Sequence, residues 1–249
     1  MTFTPRHISV SSIALFTRCP AQWKQRYVDR VTSPVSAAQA TGIAFHKALE
    51  ALHRGQDGAM TWITAADDVN DSLAATNQTL TMSKEHGLKL LKLYRERGLS
   101  AALGEPERMF KMELPTPNIP VPVLGYIDLA VPSERHFRDF KTTGGTSWNA
   151  TKVALEPQVA VYGWAYQRLY HHRPERALWC IFSTNTVTLD VYEVVPSPEA
   201  FRVFEQTAEM VWQAILAEQF DGCGARSCAV CTPATPPKEP VGPTLVWAK

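Results

Sequence analysis

Residues 121–131 read VPVLGYIDLAV, and residues 139–141 of the next predicted strand read DFK. In the first stretch all but one of the odd positions carry a branched apolar side chain, which is the repeat of a strand with one buried face. Asp128 interrupts this strand, so we expect its side chain to point away from that core. Asp139 and Lys141 share one face of the next strand and stand about 7 Å apart. The two strands therefore predict a patch of two carboxylates and one amine.

The patterns on either side of these strands predict an α+β fold. The predicted strands are 108–114, 121–131 and 136–141, which form a meander, and 177–183 with 187–194, which a short turn joins. The predicted helices cover 37–54, 61–78, 83–103, 155–170 and 198–220, after an amphipathic run that Ser9 caps and Pro20 breaks. We expect a central mixed β-sheet flanked by helices, with a helical N-terminal region and a C-terminus held by cysteines.

The 249 residues are 45% hydrophobic and contain 13 Gly and 18 Pro, which excludes a collagen-like or wholly disordered chain. We expect a single domain over 1–231, followed by a proline-rich tail over 232–249. Within the domain, 1–104 is mainly helical, 105–220 contains the sheet, and 221–231 carries a cysteine cluster. Without an apolar run near 18 residues or a secretory leader, we expect no membrane partner and a cytoplasmic location.

The charge is almost balanced, at +1 for the whole chain. It is unevenly distributed, however, because residues 1–54 hold seven Lys or Arg and two Asp or Glu. A local basic surface can bind phosphates on a neutral protein, although a solvated helix face explains the same excess.

The carboxylates and the amine have a chemical use together. Two carboxylates hold a hard divalent cation such as Mg²⁺, which also takes phosphate oxygens, and a lysine can orient an attacking hydroxide or stabilise a developing anion. Phosphodiester hydrolysis needs these parts, whereas an isolated D-x-K is most simply a same-face ion pair. His46 in the helix over 37–54 could add an imidazole to the metal. Gln158 and Tyr162 lie on one face of a later helix and could contact nucleic acid.

The cysteines suggest a second metal site. Cys19 stands near the N-terminus, Cys223, Cys228 and Cys231 are bunched near the C-terminus, and Cys180 lies in an apolar strand as a small hydrophobe. The set contains one C-x2-C pair, which suits tetrahedral zinc.

The ordered motifs resemble the RecB-like branch of the PD-(D/E)XK nucleases. The matching elements are Ser11-Ser12 leading to Cys19-Pro20, G-x3-H at 42–46, G-x2-D at 125–128, D-x-K at 139–141 and Q-x3-Y at 158–162. The resemblance implies that His46, Asp128, Asp139 and the carbonyl of Phe140 bind Mg²⁺ or Mn²⁺ and that Lys141 serves the nucleophile. It also implies that the helix of Gln158 and Tyr162 lies beside DNA, and Glu113 fits a less regular acidic position.

The resemblance extends to the cysteines. Iron–sulfur nucleases of this family, which include CRISPR-associated exonucleases, join an early cysteine to a C-terminal trio. Cys19, Cys223, Cys228 and Cys231 have that layout and imply an iron–sulfur cluster, most simply 4Fe–4S. Their C-x4-C-x2-C spacing departs from the usual order of the gaps, and zinc is the alternative.

The resemblance implies a metal-dependent DNA exonuclease of phage or bacterial type, which we expect to act on single-stranded ends. Expected partners are DNA, recombination or CRISPR-adaptation proteins, and a second copy of the chain. No G-x4-G-K-[ST] motif occurs in the sequence, so we expect no helicase motor in it. The alternatives are a catalytically silent nucleic-acid-binding module and a restriction-type endonuclease.

Overall fold

The computed structural model describes residues 4–31, 35–74, 76–145, 148–225, 228 and 230–231. Within these residues, five strands form one sheet in the order β1-β2-β3-β4-β5. The strands are β1 (Glu105–Met112), β2 (Val123–Val131), β3 (His136–Thr143), β4 (Arg176–Ser183) and β5 (Thr188–Val194). Strands β3 and β4 pair in parallel and the other neighbours are antiparallel. The predicted mixed sheet with its N-terminal meander is confirmed.

The helices begin largely where the sequence predicts. They are α1 (Val10–Arg18), α2 (Pro20–Tyr27), α3 (Ala37–His53), α4 (Gly58–Ala74), α5 (Lys84–Glu96), α6 (Ala150–Ala154), α7 (Pro157–Tyr170) and α8 (Pro198–Leu216). Ser9 caps α1 by accepting the backbone N–H of Ser12, and Cys19 caps α2 with Pro20 at its first position. No helix in the described part of the chain is both long enough and apolar enough to cross a bilayer. The proline-rich tail expected over 232–249 lies outside the described residues.

Helices α6 and α7 carry the chain between the two parallel strands. The helix predicted over 155–170 starts at Pro157, and the short α6 precedes it. Proline fits the first turn of a helix because it has no backbone N–H to satisfy. A tight turn cannot join two parallel strands. Helices α6 and α7 therefore form the crossover connection between β3 and β4.

The sheet lies between two hydrophobic cores. The first core contains residues of α1, α7 and α8 together with Phe137 and Trp179. The second contains residues of α3, α4 and α5 together with Phe140 and Cys180. Cys180 is fully buried and packs as the small hydrophobe that the sequence predicts. Alternate residues of β3 and β4 therefore pack against opposite layers of helices.

The regular alternation predicted for β2 breaks at Asp128. Ile127 packs in the first core, whereas Leu129 and Val131 pack in the second. The expectation that Asp128 simply faces away from one continuous apolar face is therefore wrong. Pairing of β2 with β3 covers only Leu129–Val131 and stops before Asp128. Because the two strands separate here, side chains from both layers can meet in the gap between them.

Candidate active site

The side chain of Asp128 bonds to β3 just beyond the last backbone pair between β2 and β3. Its Oδ2 accepts a hydrogen bond of 2.6 Å from the backbone N–H of Phe140. Burial raises the pKa of Asp128 to about 6, although Lys141 and the Phe140 N–H favour the charged form. The carboxylate is thus held in a fixed place while its charge is only partly compensated.

Asp139 and Lys141 lie together on β3, as the two-residue spacing predicts. Lys141 Nζ is 2.5 Å from Oδ2 of Asp139, whose exposed fraction is only 1%. Burial raises the pKa of Asp139 to about 6, and nearby Asp128 also raises it. Burial alone would lower the pKa of Lys141, but Asp139 and Asp128 raise it above its ordinary value. The amine therefore stays charged beside two carboxylates.

His46 reaches the same place from α3. Its Nδ1 lies 3.7 Å from Oδ1 of Asp128, and its ring packs edge-on against Phe140. Burial lowers the pKa of His46, which favours the neutral imidazole that a metal needs as a ligand. One turn earlier, a Cβ on Gly42 would lie 3.0 Å from Oγ1 of Thr142. Glycine at this position therefore lets α3 approach β3 closely enough to deliver the histidine.

Glu107 joins this cluster, although the sequence analysis did not identify it. One ligand atom from each of His46, Glu107 and Asp128 lies within 4.8 Å of the other two. Burial, Asp128 and Glu50 raise the pKa of Glu107 to about 7. Glu113, the residue expected at the acidic position before Asp128, is exposed beyond the end of β1. A pattern of acidic residues on β1 was visible in the sequence, but which of them faces Asp128 was not.

Gln158 and Tyr162 form a pair within α7. Gln158 Nε2 donates a hydrogen bond of 2.9 Å to Oη of Tyr162. Tyr162 is only 7% exposed, and its ring makes edge contacts with Phe110 and Phe137 in the first core. Burial raises the pKa of Tyr162 well above its ordinary value, and the charges of Asp139 and Asp128 raise it further. The pair thus adjoins the acidic cluster, with Gln158 the more accessible member.

The sequence matches a model of the PD-(D/E)XK nuclease superfamily over residues 7–234. The chain belongs to the PD-(D/E)XK nuclease superfamily. The mixed sheet described above is thus the fold of a superfamily member, and the acidic pair and Lys141 lie on its neighbouring strands β2 and β3.

One solved structure shares the fold of this PD-(D/E)XK nuclease. A protein of Eubacterium rectale, provisionally described as an exonuclease, is 13% identical with a TM-score of 0.59, and the match covers 95% of this chain and 91% of that one. A second structure, described as SSO0001, is 15% identical with a TM-score of 0.41 and covers 84% of this chain and 79% of that one. Among curated proteins, no sequence matches this nuclease significantly.

Superfamily members use divalent metals, and the residues of this nuclease fit such an ion. The cluster offers an imidazole nitrogen and carboxylate oxygens, and the oxygens are the donors that Mg²⁺ and Mn²⁺ prefer. The buried carboxylates of Asp128 and Asp139 have raised pKa values, so a cation would favour their charged forms. The donor set and the uncompensated charge both agree with a metal at this place.

A second candidate metal site brings Cys19 together with three cysteines more than 200 positions later in the sequence. Sulfur atoms of Cys19, Cys223, Cys228 and Cys231 all lie within 4.8 Å of one another. The Sγ of Cys19 lies 3.5 Å from that of Cys231 and 3.7 Å from that of Cys228. Nearby, the ring of Phe220 stacks on Trp23 of α2, with ring centroids 5.8 Å apart. The predicted grouping of an early cysteine with the late trio is therefore present.

The pKa of the Cys19 thiol is lowered, which favours the thiolate. Burial raises its pKa, but hydrogen bonds, the first of them from the backbone N–H of Gln22, outweigh burial and lower it to about 6. Cys19 is the N-cap of α2, and a helix N-terminus stabilises a thiolate. Because metals bind the thiolate form, the residues of this cluster fit a thiolate-bound metal.

Proposed function

We propose that this nuclease is a metal-dependent DNA exonuclease that hydrolyses phosphodiester bonds from single-stranded ends. The observation that carries the proposal is the meeting of His46, Asp128, Asp139 and Lys141 at the gap between β2 and β3. The pathways in which we place it are recombination, DNA end processing or CRISPR adaptation. Candidate partners remain DNA, proteins of those pathways and a second copy of the chain.

In the proposed mechanism each residue has a separate task. His46, Asp128, Asp139 and the carbonyl of Phe140 would hold Mg²⁺ or Mn²⁺, which lowers the pKa of bound water and offsets charge on the phosphate. Lys141 stays protonated because of the neighbouring carboxylates, and so it can orient the attacking water or stabilise the pentavalent phosphate. In this proposal all these groups act on one phosphate bound at the gap between β2 and β3.

We propose that α7 lies along the DNA strand. Gln158 is half-buried at the first turn of the helix and can offer its amide to a phosphate or base. Tyr162 is a core residue, and its hydroxyl holds the Gln158 amide in place. We therefore assign the direct DNA contact to Gln158 and a positioning role to Tyr162.

We propose that residues 1–231 form one nuclease domain held together by an iron–sulfur cluster on the four cysteines. The family resemblance supports a 4Fe–4S cluster. Zinc is the second candidate because sulfurs 3.5 and 3.7 Å apart match thiolates around a single ion. A Zn–S distance of about 2.3 Å places tetrahedral thiolates about 3.8 Å from one another.

A comparison of linear and circular DNA tests the proposed activity. The holo-protein with Mg²⁺ or Mn²⁺ should shorten an end-labelled linear single strand and leave a covalently closed single-stranded circle intact. Cutting of closed duplex circles at discrete sites would instead identify a restriction-type endonuclease. Binding of DNA without any cleavage by metal-loaded protein would identify a catalytically silent module.

A further inference from the structure

The backbone of β1 is unusual at Glu107. Its neighbours pair regularly with β2, since Pro106 lies opposite Leu129 and Arg108 opposite Ile127. Glu107 itself has a positive φ of 51°. This conformation is unfavourable for a residue with a side chain, and it persists only where the surroundings hold it in place. The unusual backbone lies at the register position opposite Asp128, the residue at which β2 changes face.

The surroundings of Glu107 contain more negative than positive charge. Asp128 and Glu50 both act on the half-buried carboxylate, and Arg54 is the opposing charge. Arg54 is already engaged, because its Nη2 lies 2.7 Å from Oε1 of Glu50. In the described part of the chain, Glu107 takes part in none of the ion pairs. A cation here would stabilise the charged form of Glu107, and ligand atoms of His46 and Asp128 lie within 4.8 Å of one of its carboxylate oxygens.

We propose that Glu107 is a further ligand of the catalytic divalent cation, in addition to the family set of His46, Asp128, Asp139 and the Phe140 carbonyl. This inference rests on the proposed function, because it concerns the metal of that same site. Asp139 keeps one oxygen against Lys141, so Glu107 supplies the extra carboxylate oxygen on the opposite side of Asp128. The unusual backbone of β1 is then what turns this side chain toward the metal.

Metal affinity measured without substrate tests the inference. Mn²⁺ binding to the full-length holo-protein is followed by electron paramagnetic resonance of the free ion and by titration calorimetry. Glu107→Gln should weaken Mn²⁺ binding at least about tenfold, the loss typical of a residue that supports a metal. Glu113→Gln is the matched control, since it removes an exposed carboxylate just beyond the end of the same strand, and its affinity should equal that of the wild type.

A second variant separates ligation from the general effect of charge. Glu107→Asp keeps the negative charge but is shorter by one methylene, so it should also weaken Mn²⁺ binding at least about tenfold. Wild-type affinity in Glu107→Asp, or in Glu107→Gln, would overturn the inference and leave the proposed function standing. A wild-type protein that binds no Mn²⁺ would overturn both. Circular dichroism without Mn²⁺ shows whether each variant is folded. If Glu107→Gln is unfolded, the Mn²⁺ affinity of Glu107→Asp tests the inference.

Discussion

The carboxylate of Asp128 accepts a 2.6 Å hydrogen bond from the backbone N–H of Phe140 at the point where β2 and β3 stop pairing. A side chain here takes over the role of a backbone carbonyl in the ladder, which satisfies the buried N–H. The strands can then separate without leaving an unpaired donor. At the candidate active site, the acidic residue that the proposed chemistry requires therefore also pairs the N–H that the gap would otherwise leave without an acceptor.

Replacing the lysine should separate catalysis from metal binding. In Lys141→Ala we expect cleavage of a single-stranded substrate to fall at least about a hundredfold, because the charge that stabilises the transition state is lost. Mn²⁺ affinity should not fall, because the lysine is not a proposed ligand, whereas the unfolding midpoint should decrease because the buried Asp139 loses its ion-pair partner. Lys89→Ala, which removes an exposed lysine paired with Glu85 on α5, is the control. Near wild-type cleavage by Lys141→Ala would remove the lysine from the mechanism.

The raised pKa of Asp128 predicts how stability depends on pH in divalent-free buffer. Folding raises this pKa from 3.8 to about 6, so between these values the folded chain binds more protons than the unfolded chain. The free energy of unfolding should therefore decrease as the pH rises through this range. The stabilisation by the protonated Asp128 carboxyl is complete below pH 3.8 and is lost as the pH rises through about 6. In Asp128→Asn we expect this decrease to be smaller by on the order of 2 kcal/mol.

Urea unfolding at about pH 4 and about pH 7 measures this difference. Asp190→Asn, an exposed aspartate on β5, controls for the loss of one carboxylate at the surface. An unchanged pH dependence in Asp128→Asn would show that this residue is ionised equally in both states.

Close approach of α3 to β3 should be required for activity. Gly42→Val would place a Cβ 3.0 Å from Oγ1 of Thr142 and displace the helix that carries His46. We expect cleavage to slow at least about tenfold, because small displacements of a catalytic group are costly. The double variant Gly42→Val/Thr142→Ala should recover part of the rate, and Thr142→Ala alone should be close to wild type. Full activity of Gly42→Val would show that the approach is not needed.

Loss of one cysteine should remove the second metal. In Cys228→Ser we expect the metal content and any absorption near about 400 nm to disappear, together with a lower unfolding midpoint. Cys180→Ser removes a buried thiol in the second core and should leave the metal in place. Elemental analysis of anaerobically purified wild type distinguishes iron from zinc. A wild type that contains neither metal would contradict a metal centre on these cysteines.

Local patterns determined a large part of what the structure shows. The two-residue repeat of a strand is sufficient to place Asp139 and Lys141 on one face, and Nζ and Oδ2 are indeed 2.5 Å apart. The break at Pro20 and the cap at Ser9 also follow from chemistry within a single turn of helix. Such features depend on neighbours in sequence, so they can be predicted without the fold.

Only the tertiary structure decided which acidic residue of β1 meets Asp128 and how far Tyr162 is buried. The positive φ of Glu107 and the change of face at Asp128 occur where the pairing of β2 with β3 stops and the side chains of β2 pass from one core to the other. Likewise, Cys19 and Cys231 are 212 positions apart, and their contact exists only once the last segment packs against α2. Contacts of this kind are set by the packing of distant elements, for which the periodicity of a single strand or helix carries no information.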